Sequence, residues 1–392
     1  MHKVLVLDAN QRSALAIIRS LGRRGLTVIA ADHRPHTIGA ASRYVTTSIR
    51  YSNPATSPGA FAKDVLEAAD RLGIEIIIPA TDLTTMLLAS QPDLCNSVHL
   101  ATPRADSYET LTDKARLMEL AAKLAIQAPR TRTACTQAAV VEAAHDFGFP
   151  VVLKPARSRY LKGDQVLSTS VQIVHDPDGL SEALNNQTWI GDIPCLVQQF
   201  VPGRGAGIFA LYGPSGPVAW FAHARLREKP PTGGVSVLSE SVPVDPTMQS
   251  AAAKLLAAAN WTGVAMVEFR IAADGVPYLM EVNGRFWGTL QLAIDCGVDF
   301  PWLLYQLTKT LPTTGPHSYA VGKRLRWLLG DVDSLIIDLK RTSSDFGQRA
   351  HAIAAFARSF ADAKCRQEIL RLHDPKPAIV ESWQWVQELF KR

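Results

Sequence analysis

The sequence predicts an α/β (α+β) chain in three parts: a parallel sheet covered by helices, a hairpin-rich β region and a helical C-terminal region. Three observations carry this. Residues 3–89 alternate short β-branched apolar runs with helical periods, the pattern of a parallel sheet with helices on its faces. Between 195 and 283, strand patterns are joined by glycine-bearing turns. Beyond about residue 285, helical spacing dominates.

Residues 3–7 are apolar enough for a buried strand. Residues 12–21 carry Leu15, Ile18 and Leu21 at helical spacing, Gly25 ends the period, and residues 26–31 form a second strand closing on Asp32. A helix follows over 58–72, a strand over 74–78 and a helix over 83–89. A dinucleotide site would need G-x-G-x-x-G after the first strand, but the turn reads Asp8-Ala9-Asn10-Gln11-Arg12-Ser13, without glycine. The lobe therefore reads as substrate-side, with its strands' carboxyl ends as the binding edge. The spacing predicts a helix over 112–124 capped by Thr112 or Asp113, and strands over 151–154 and 195–200. Residues 207–212 and 218–224 read as a hairpin around Gly213-Pro214-Ser215-Gly216, and 227–234 as a loop rich in proline and glycine. A helix over 247–259 precedes strands over 264–271 and 277–282.

The length, 392 residues, suits two or three domains and a large core without staples. Hydrophobic residues make up 47% and charged residues 20%, which argues against wholesale disorder. Net charge is +5, too mild to indicate nucleic acid. Most of the excess lies in residues 321–392, with 13 lysines and arginines against 9 acids. Five scattered cysteines suggest neither a disulfide framework nor zinc. No signal-peptide pattern or membrane span is expected, and a cytoplasmic location is the simplest expectation. Walker A, HExxH, GxSxG and kinase signatures are absent. His223 reads as structural or solvent-facing; Trp287, Trp302 and Trp327 read as core or interface residues.

The most informative stretch runs from Val264 to Asn283. Asp274-Gly275 between two strand patterns signals a hairpin. A two-residue turn would pair Ala273 with Val276, which places Glu268 opposite Glu281 and puts Asn283 on the same face. Facing carboxylates repel unless a cation sits between them. Two carboxylates and an amide oxygen form a hard set suited to Mg2+. A solvated acidic face is the alternative, and a three-residue turn would separate the acids. Lys154 ends an apolar strand, as a phosphate ligand or a solvent-reaching charge. The segment from Arg157 and Ser158 to Gly163 offers cations, hydroxyls and a glycine, as a mobile phosphate cover or a basic surface loop.

Together these motifs resemble the ATP-grasp superfamily, especially its carbamoyl-phosphate-synthase-like and carboxylate–amine ligase members, over about residues 1–310. Thr112-Asp113-Lys114 resembles the first ATP lysine motif and Val152-Leu153-Lys154-Pro155 the second. The run from Val197 to Gly203 resembles the adenine hinge; Val267-Glu268-Phe269 and Glu281-Val282-Asn283-Gly284-Arg285 resemble the metal signature. The resemblance implies a pre-ATP-grasp domain over 1–108 and a two-lobed ATP-grasp domain over 109–310, divided after residue 200. Residues 311–392 would form the helical C-terminal region.

By the same resemblance, Lys114, Lys154, Arg157 and Ser158 contact ATP phosphates, and Gln198, Gln199, Phe200 and Val201 hold adenine. Glu268, Glu281 and Asn283 bind Mg2+, two ions, with Mn2+ as an alternative. Arg285 stabilises the transferring phosphoryl group, with Lys154 as its catalytic companion. Arg225, Arg227, Thr232, Gly233 and Gly234 face the substrate, and Asp374-Pro375-Lys376-Pro377 resembles the close of a ligase subgroup. Three departures stand out: a Gln198-Gln199 hinge where the family often carries Gln-Glu or Glu-Glu, Gly205 near the usual ribose-holding acid, and a phosphate loop that is basic where many members are glycine-rich.

The implied activity is ATP-dependent ligation of a small-molecule carboxylate and an amine through an acyl phosphate, with 157–163 and 227–234 as lids. The alternatives are a bicarbonate-using carboxylase of the same superfamily and a non-catalytic nucleotide-binding module. The run starting at Lys323 and residues 350–363 look amphipathic, as core packing or a homodimer contact, with an anionic membrane surface as the minor reading.

Overall fold

The computed structural model describes residues 2–91, 98–157, 159–162, 165–187, 189–190, 193–231, 233–341, 346–362 and 364–391. The first part contains β1 (Lys3–Val6), α1 (Arg12–Arg23), β2 (Thr27–Asp32), β3 (Thr47–Arg50), α2 (Pro58–Leu72), β4 (Ile76–Ile78), α3 (Asp82–Ala89) and β5 (His99–Leu100). Its strands form a parallel sheet in the order β3-β2-β1-β4-β5. Val4 and Val6 pack with Ile17 and Leu21 of α1, while Leu5 and Leu7 pack with Phe61 and Val65 of α2. Burial on both faces explains why these strands read as continuous apolar runs.

The helix expected over 112–124 is two helices, α4 (Ala105–Thr112) and α5 (Lys114–Lys123). Asp113 breaks them apart: its backbone is extended and its carboxylate accepts from the amides of Ala115 and Arg116. Next come β6 (Thr131–Ala134), α6 (Gln137–Phe147), β7 (Val151–Pro155), β8 (Arg159–Lys162), β9 (Gln165–Ser168), β10 (Gln172–Val174), α7 (Pro177–Asn186) and β11 (Cys195–Gln199). They make an antiparallel sheet, β10-β7-β11-β6, and a separate β8–β9 hairpin.

The third sheet contains β12 (Arg204–Gly213), β13 (Gly216–Lys229), β14 (Val235–Ser241), β15 (Gly263–Ile271) and β16 (Pro277–Asn283), with α8 (Pro246–Ala258) before β15. Phe209, Leu211 and Phe221 lie in the same buried cluster as Ile17 and Leu21 of α1, so the first part and this sheet share one core. Ile208, Ala210 and Val267 pack with α8 on the other face. Buried His223 stacks on Phe209 at 4.8 Å and lies 3.1 Å from the Thr289 hydroxyl. It is structural, and burial pulls its pKa down to about 3.

The C-terminal part is not wholly helical. Besides α9 (Leu290–Asp295), α10 (Phe300–Thr308), α11 (Leu328–Arg341), α12 (Phe346–Arg358) and α13 (Lys376–Leu389), it supplies β17 (Arg324–Arg326) and β18 (Cys365–Gln367). These strands extend the third sheet to β16-β15-β12-β13-β14-β17-β18. The run expected to start an amphipathic helix at Lys323 is therefore strand first; pairing with β14 overrides its helical spacing. The tail then returns to α1, where buried Arg19 donates to Asp374 (2.8 Å) and to the carbonyls of Glu368 and Ile369. Among the described residues no helix is long and apolar enough to cross a membrane.

Candidate active site

The β15–β16 hairpin does place Glu268 opposite Glu281, but by a different route from the two-residue turn. Ala272 and Val276 close a three-residue turn through Ala273, Asp274 and Gly275, with Gly275 at φ +84°. That register pairs Phe269 with Leu279 and would set the acids out of step. A bulge between Glu268 and Phe269 leaves Met280 as an extra residue on β16, which brings Glu281 back opposite Glu268. The Asn283 amide nitrogen lies 3.1 Å from Glu268 and 3.3 Å from Glu281.

Cations surround this pair. Lys114 opens α5 and its ammonium sits 3.3 Å from Glu281. Arg225 on β13 donates to Glu268 at 2.7 Å and to Glu228 at 3.1 Å. Arg285 follows β16, where its Nε donates to Asp82 of α3 (3.0 Å) and another nitrogen to the side-chain amide oxygen of Asn283 (3.3 Å). Across the cleft, Lys154 on β7 donates to the side-chain oxygen of Gln198 on β11 (2.7 Å). Gln198 is buried, and its amide donates to Thr131 (2.9 Å), which turns its oxygen toward the lysine.

The charges shift one another. Burial brings the Lys154 ammonium down to about 8; Lys114 and Arg270 push the same way, and Glu281 and Glu268 oppose them. Burial and repulsion from Glu281 raise Glu268 above the usual carboxylate range, against the pull of Arg225. Burial also disfavours charged Glu281, but Lys114 and Lys154 outweigh it and hold that carboxyl low.

Not every expected residue converges on the pair. Arg157 turns to α4 and α5, where it donates to Asp113 (2.9 Å) and pairs with Glu109. Gln199 is exposed, and its backbone amide donates to the carbonyl of Arg130 (2.9 Å), while Val201 is buried and Phe200 partly so. Arg227 grips Asp331 of α11 with two hydrogen bonds of 2.8 and 2.6 Å. Residues 227–229 are strand, not loop, so only 230–234 lie outside β13 and β14. Gly233 has φ +129°, and Gly234 packs so closely on the Lys229 carbonyl that no Cβ would fit. Ser158, Gly163 and Thr232 lie outside the described residues.

The sequence did not single out Asp82, Thr131 or Glu228. Asp82 had one signal, its place just after β4, on the binding edge of a parallel sheet. A cavity of about 290 Å3 opens there between Asp82, Tyr108, Lys114, Arg157, Glu281 and Asn283. A larger one of about 780 Å3 lies around the 213–216 turn of β12–β13, six residues along β12 from the Glu268 partner Gly207, and holds none of these groups.

A family model described as "ATP-grasp in the biosynthetic pathway with Ter operon" matches residues 194–329, the stretch that holds the hinge and both acids. The chain is 25% identical over 282 residues to the carbamoyl phosphate synthase large chain of Pasteurella multocida, over 68% of this chain and 24% of that one. Its fold matches biotin carboxylase from Campylobacter jejuni with a TM-score of 0.66 at 14% identity, over 83% of this chain and 74% of that one. It also matches an L-amino acid ligase from Bacillus licheniformis with a TM-score of 0.59 at 16% identity, over 79% of this chain and 74% of that one. Residues 194–329 therefore resemble an ATP-grasp family, and the chain shares the fold of biotin carboxylase and the L-amino acid ligase. The chain spans about a quarter of the length of the carbamoyl phosphate synthase chain it matches.

The donor set fits a hard divalent cation. Two carboxylates stand side by side, compensated by Arg225, Lys114 and the Asn283 amide. Asn283 would turn its amide over to offer oxygen in place of nitrogen. No group of three or more His, Cys, Asp or Glu residues suited to a metal occurs among the described residues, so this set needs the amide as its third donor.

Proposed function

We propose that the protein is an ATP-dependent ligase that activates a substrate carboxylate as an acyl phosphate and joins it to an amine. The carrying observation is the convergence of Glu268, Glu281 and Asn283 with Lys114, Lys154 and Arg285. In the first half-reaction a carboxylate oxygen bonds to the γ-phosphorus of ATP and the bond to ADP breaks. In the second, the amine nitrogen bonds to the acyl carbon, phosphate leaves and the amine loses a proton.

Glu268, Glu281 and the Asn283 amide oxygen would hold Mg2+, two ions, which supplies charge neutralisation at the phosphates. Lys114 and Lys154 provide point charges for the phosphates. Gln198 orients Lys154, which leaves adenine to the backbone of residues 199–201. Arg285 is anchored by Asp82 and offers its guanidinium to the oxygen-rich transition state. The smaller cavity beside Asp82 suits the carboxylate to be activated. The whole arrangement works by positioning and electrostatics.

The second reading is a carboxylase that phosphorylates bicarbonate, supported by the fold match to biotin carboxylase. Hydroxylamine separates them, because it traps acyl phosphates as hydroxamates. The ligase reading expects ADP release and hydroxamate with Mg-ATP and one member of a panel of amino acids and small carboxylates. ADP release that depends on bicarbonate alone would move the assignment to carboxylation. Nucleotide binding without ADP release from any mixture would indicate a non-catalytic module.

A further inference from the structure

The cavity beside Asp82 opens on the metal hairpin. Lys114, Glu281 and Asn283 line one end of it, so a molecule held there meets the residues assigned to the phosphates and Mg2+. Two helices form its long walls. α3 runs away from the hairpin, and Asp82 and Ala89 are seven residues apart, roughly 10 Å of helix. α4 ends beside Lys114, so its first residue, Ala105, lies at the far end. At about 290 Å3 the cavity stands at the small end of ligand sites, which run roughly 300–1,000 Å3. At roughly 30 Å3 for each water-sized group it has room for about ten heavy atoms.

The two ends differ in chemistry. Near the hairpin, each acid that lines the cavity already faces a cation. Asp82 takes Arg285 at 3.0 Å and Glu281 takes Lys114 at 3.3 Å. Glu109 is paired with Arg157 and lies 3.5 Å from Arg116. Away from the hairpin the walls are Met86, Leu87 and Ala89 of α3 and Ala105 and Tyr108 of α4. Leu87 and Tyr108 are buried there. The lining hydroxyls have spent their protons on main-chain carbonyls: Tyr108 donates to Asp82 (3.2 Å), Thr112 to Tyr108 (2.8 Å) and Ser90 to Leu87 (3.0 Å). Among the described lining residues no acid is left over for an ammonium group. A substrate with a charged α-amino group would bury that charge without a counter-charge, which is costly. An apolar body meets only the surface it needs.

We infer that the acid activated by this protein is an apolar monocarboxylate without a charged α-amino group, with an alkyl or aryl body of up to about ten heavy atoms. Its carboxylate lies at Lys114 and Asn283, beside Arg285, and its body lies along α3 against Met86, Leu87 and Tyr108. The inference rests on the ligase reading and names the class of its carboxylate substrate.

The test uses hydroxylamine in place of the amine, so the natural acceptor need not be known. With Mg-ATP it turns each acyl phosphate into a hydroxamate and free phosphate. Acids are offered in matched pairs: hexanoate with norleucine, isocaproate with leucine, and phenylacetate with phenylglycine. Binding of each acid is also measured by calorimetry beside a non-hydrolysable ATP analogue. Wild type, Ala105→Trp and Met86→Glu are compared, each shown to be folded by its melting curve. At least one amino-free acid is expected to give ADP and hydroxamate, with kcat/KM at least about tenfold above its α-amino partner. Ala105→Trp, in the exposed first turn of α4, narrows the far end and raises KM about tenfold with kcat within about threefold. Met86→Glu puts an acid in the apolar wall and closes or reverses the preference for the amino-free acid. Amino acids used as well as their amino-free partners, or a wild-type preference kept in both variants with KM unchanged, overturn the inference and spare the ligase reading. The same holds if no amino-free acid binds or reacts in a protein that makes hydroxamate from another carboxylate. No ADP release from any carboxylate, or release that bicarbonate alone triggers, overturns the ligase reading and the inference with it.

Discussion

Raising the pH is expected to weaken Mg-ATP binding through one side chain, Lys154. Burial has already brought its ammonium down to about 8, with Lys114 and Arg270 pushing the same way. The ammonium is needed on the bound side, where phosphate charge holds its proton. The empty protein therefore loses the proton first, and binding above pH 8 must recover it. With a pKa near 8, about nine-tenths of the empty sites are protonated at pH 7 and about one-tenth at pH 9. Apparent affinity then falls about tenfold between those values, with a slope approaching one decade per pH unit. Calorimetry with a non-hydrolysable ATP analogue and Mg2+, from pH 6.5 to 9.5, reads this directly. Lys154→Arg keeps the charge but does not titrate in this range, so its profile should be flat whatever its absolute affinity. A flat wild-type profile, or the same slope in Lys154→Arg, would refute the assignment of Lys154 to the nucleotide.

Three further outcomes follow from other contacts. Arg19→Ala leaves Asp374 buried without its counter-charge and should cost about 3–5 kcal/mol in urea unfolding; a loss below 1 kcal/mol would show that the tail latch is not structural. Burial, opposed by the Trp327 indole that donates to it at 2.5 Å, lifts Glu381 from 4.5 to about 7. Between those values the folded protein holds a proton that the unfolded chain has released, so stability falls as pH rises through the window and levels above it. Glu381→Gln should remove that slope and gain about 1–3 kcal/mol at pH 8, and an unchanged pH–stability curve would contradict it. Arg285→Ala should bind Mg-ATP within about threefold of wild type but lose at least about a hundredfold in turnover; lost binding with a wild-type rate at saturation would assign it to affinity alone.

Much of the N-terminal sheet was legible because its signal is local. Strands buried on both faces must be apolar along their length, and α2 covers the 58–72 range that its spacing predicts. The opposition of Glu268 and Glu281 was legible for a reason that does not hold. The Asp274-Gly275 signal suggested a two-residue turn, and the bulge at Met280 compensates for the three-residue turn that forms. Bulges leave little mark in a single sequence, since an extra residue in a strand looks like any other.

The rest depends on partners distant in the chain. β17 is three residues, two of them arginine, and becomes a strand only because β14 and β18 flank it and Glu240, Asp362 and Asp331 meet its charges. Asp113 looked like the cap of one helix, and its cap position was right, but nothing local announced a second helix ending on it. The Arg225–Glu228 pair needs β13 to run on through residues that read as loop, with α11 and α12 closing over it. Proline and glycine after Lys229 marked the turn correctly and hid the strand that leads into it.

The central claim is that Glu268 and Glu281 assemble the Mg-ATP site. Its most direct test is Mg-dependent ADP release, with amino acids and small carboxylates present, in wild type, Glu268→Gln and Glu281→Gln, each shown to be folded by its melting curve. The account expects turnover in wild type and a fall of at least about a thousandfold in both variants. Turnover in both variants within a few fold of wild type, at the same Mg2+ concentration, would contradict it.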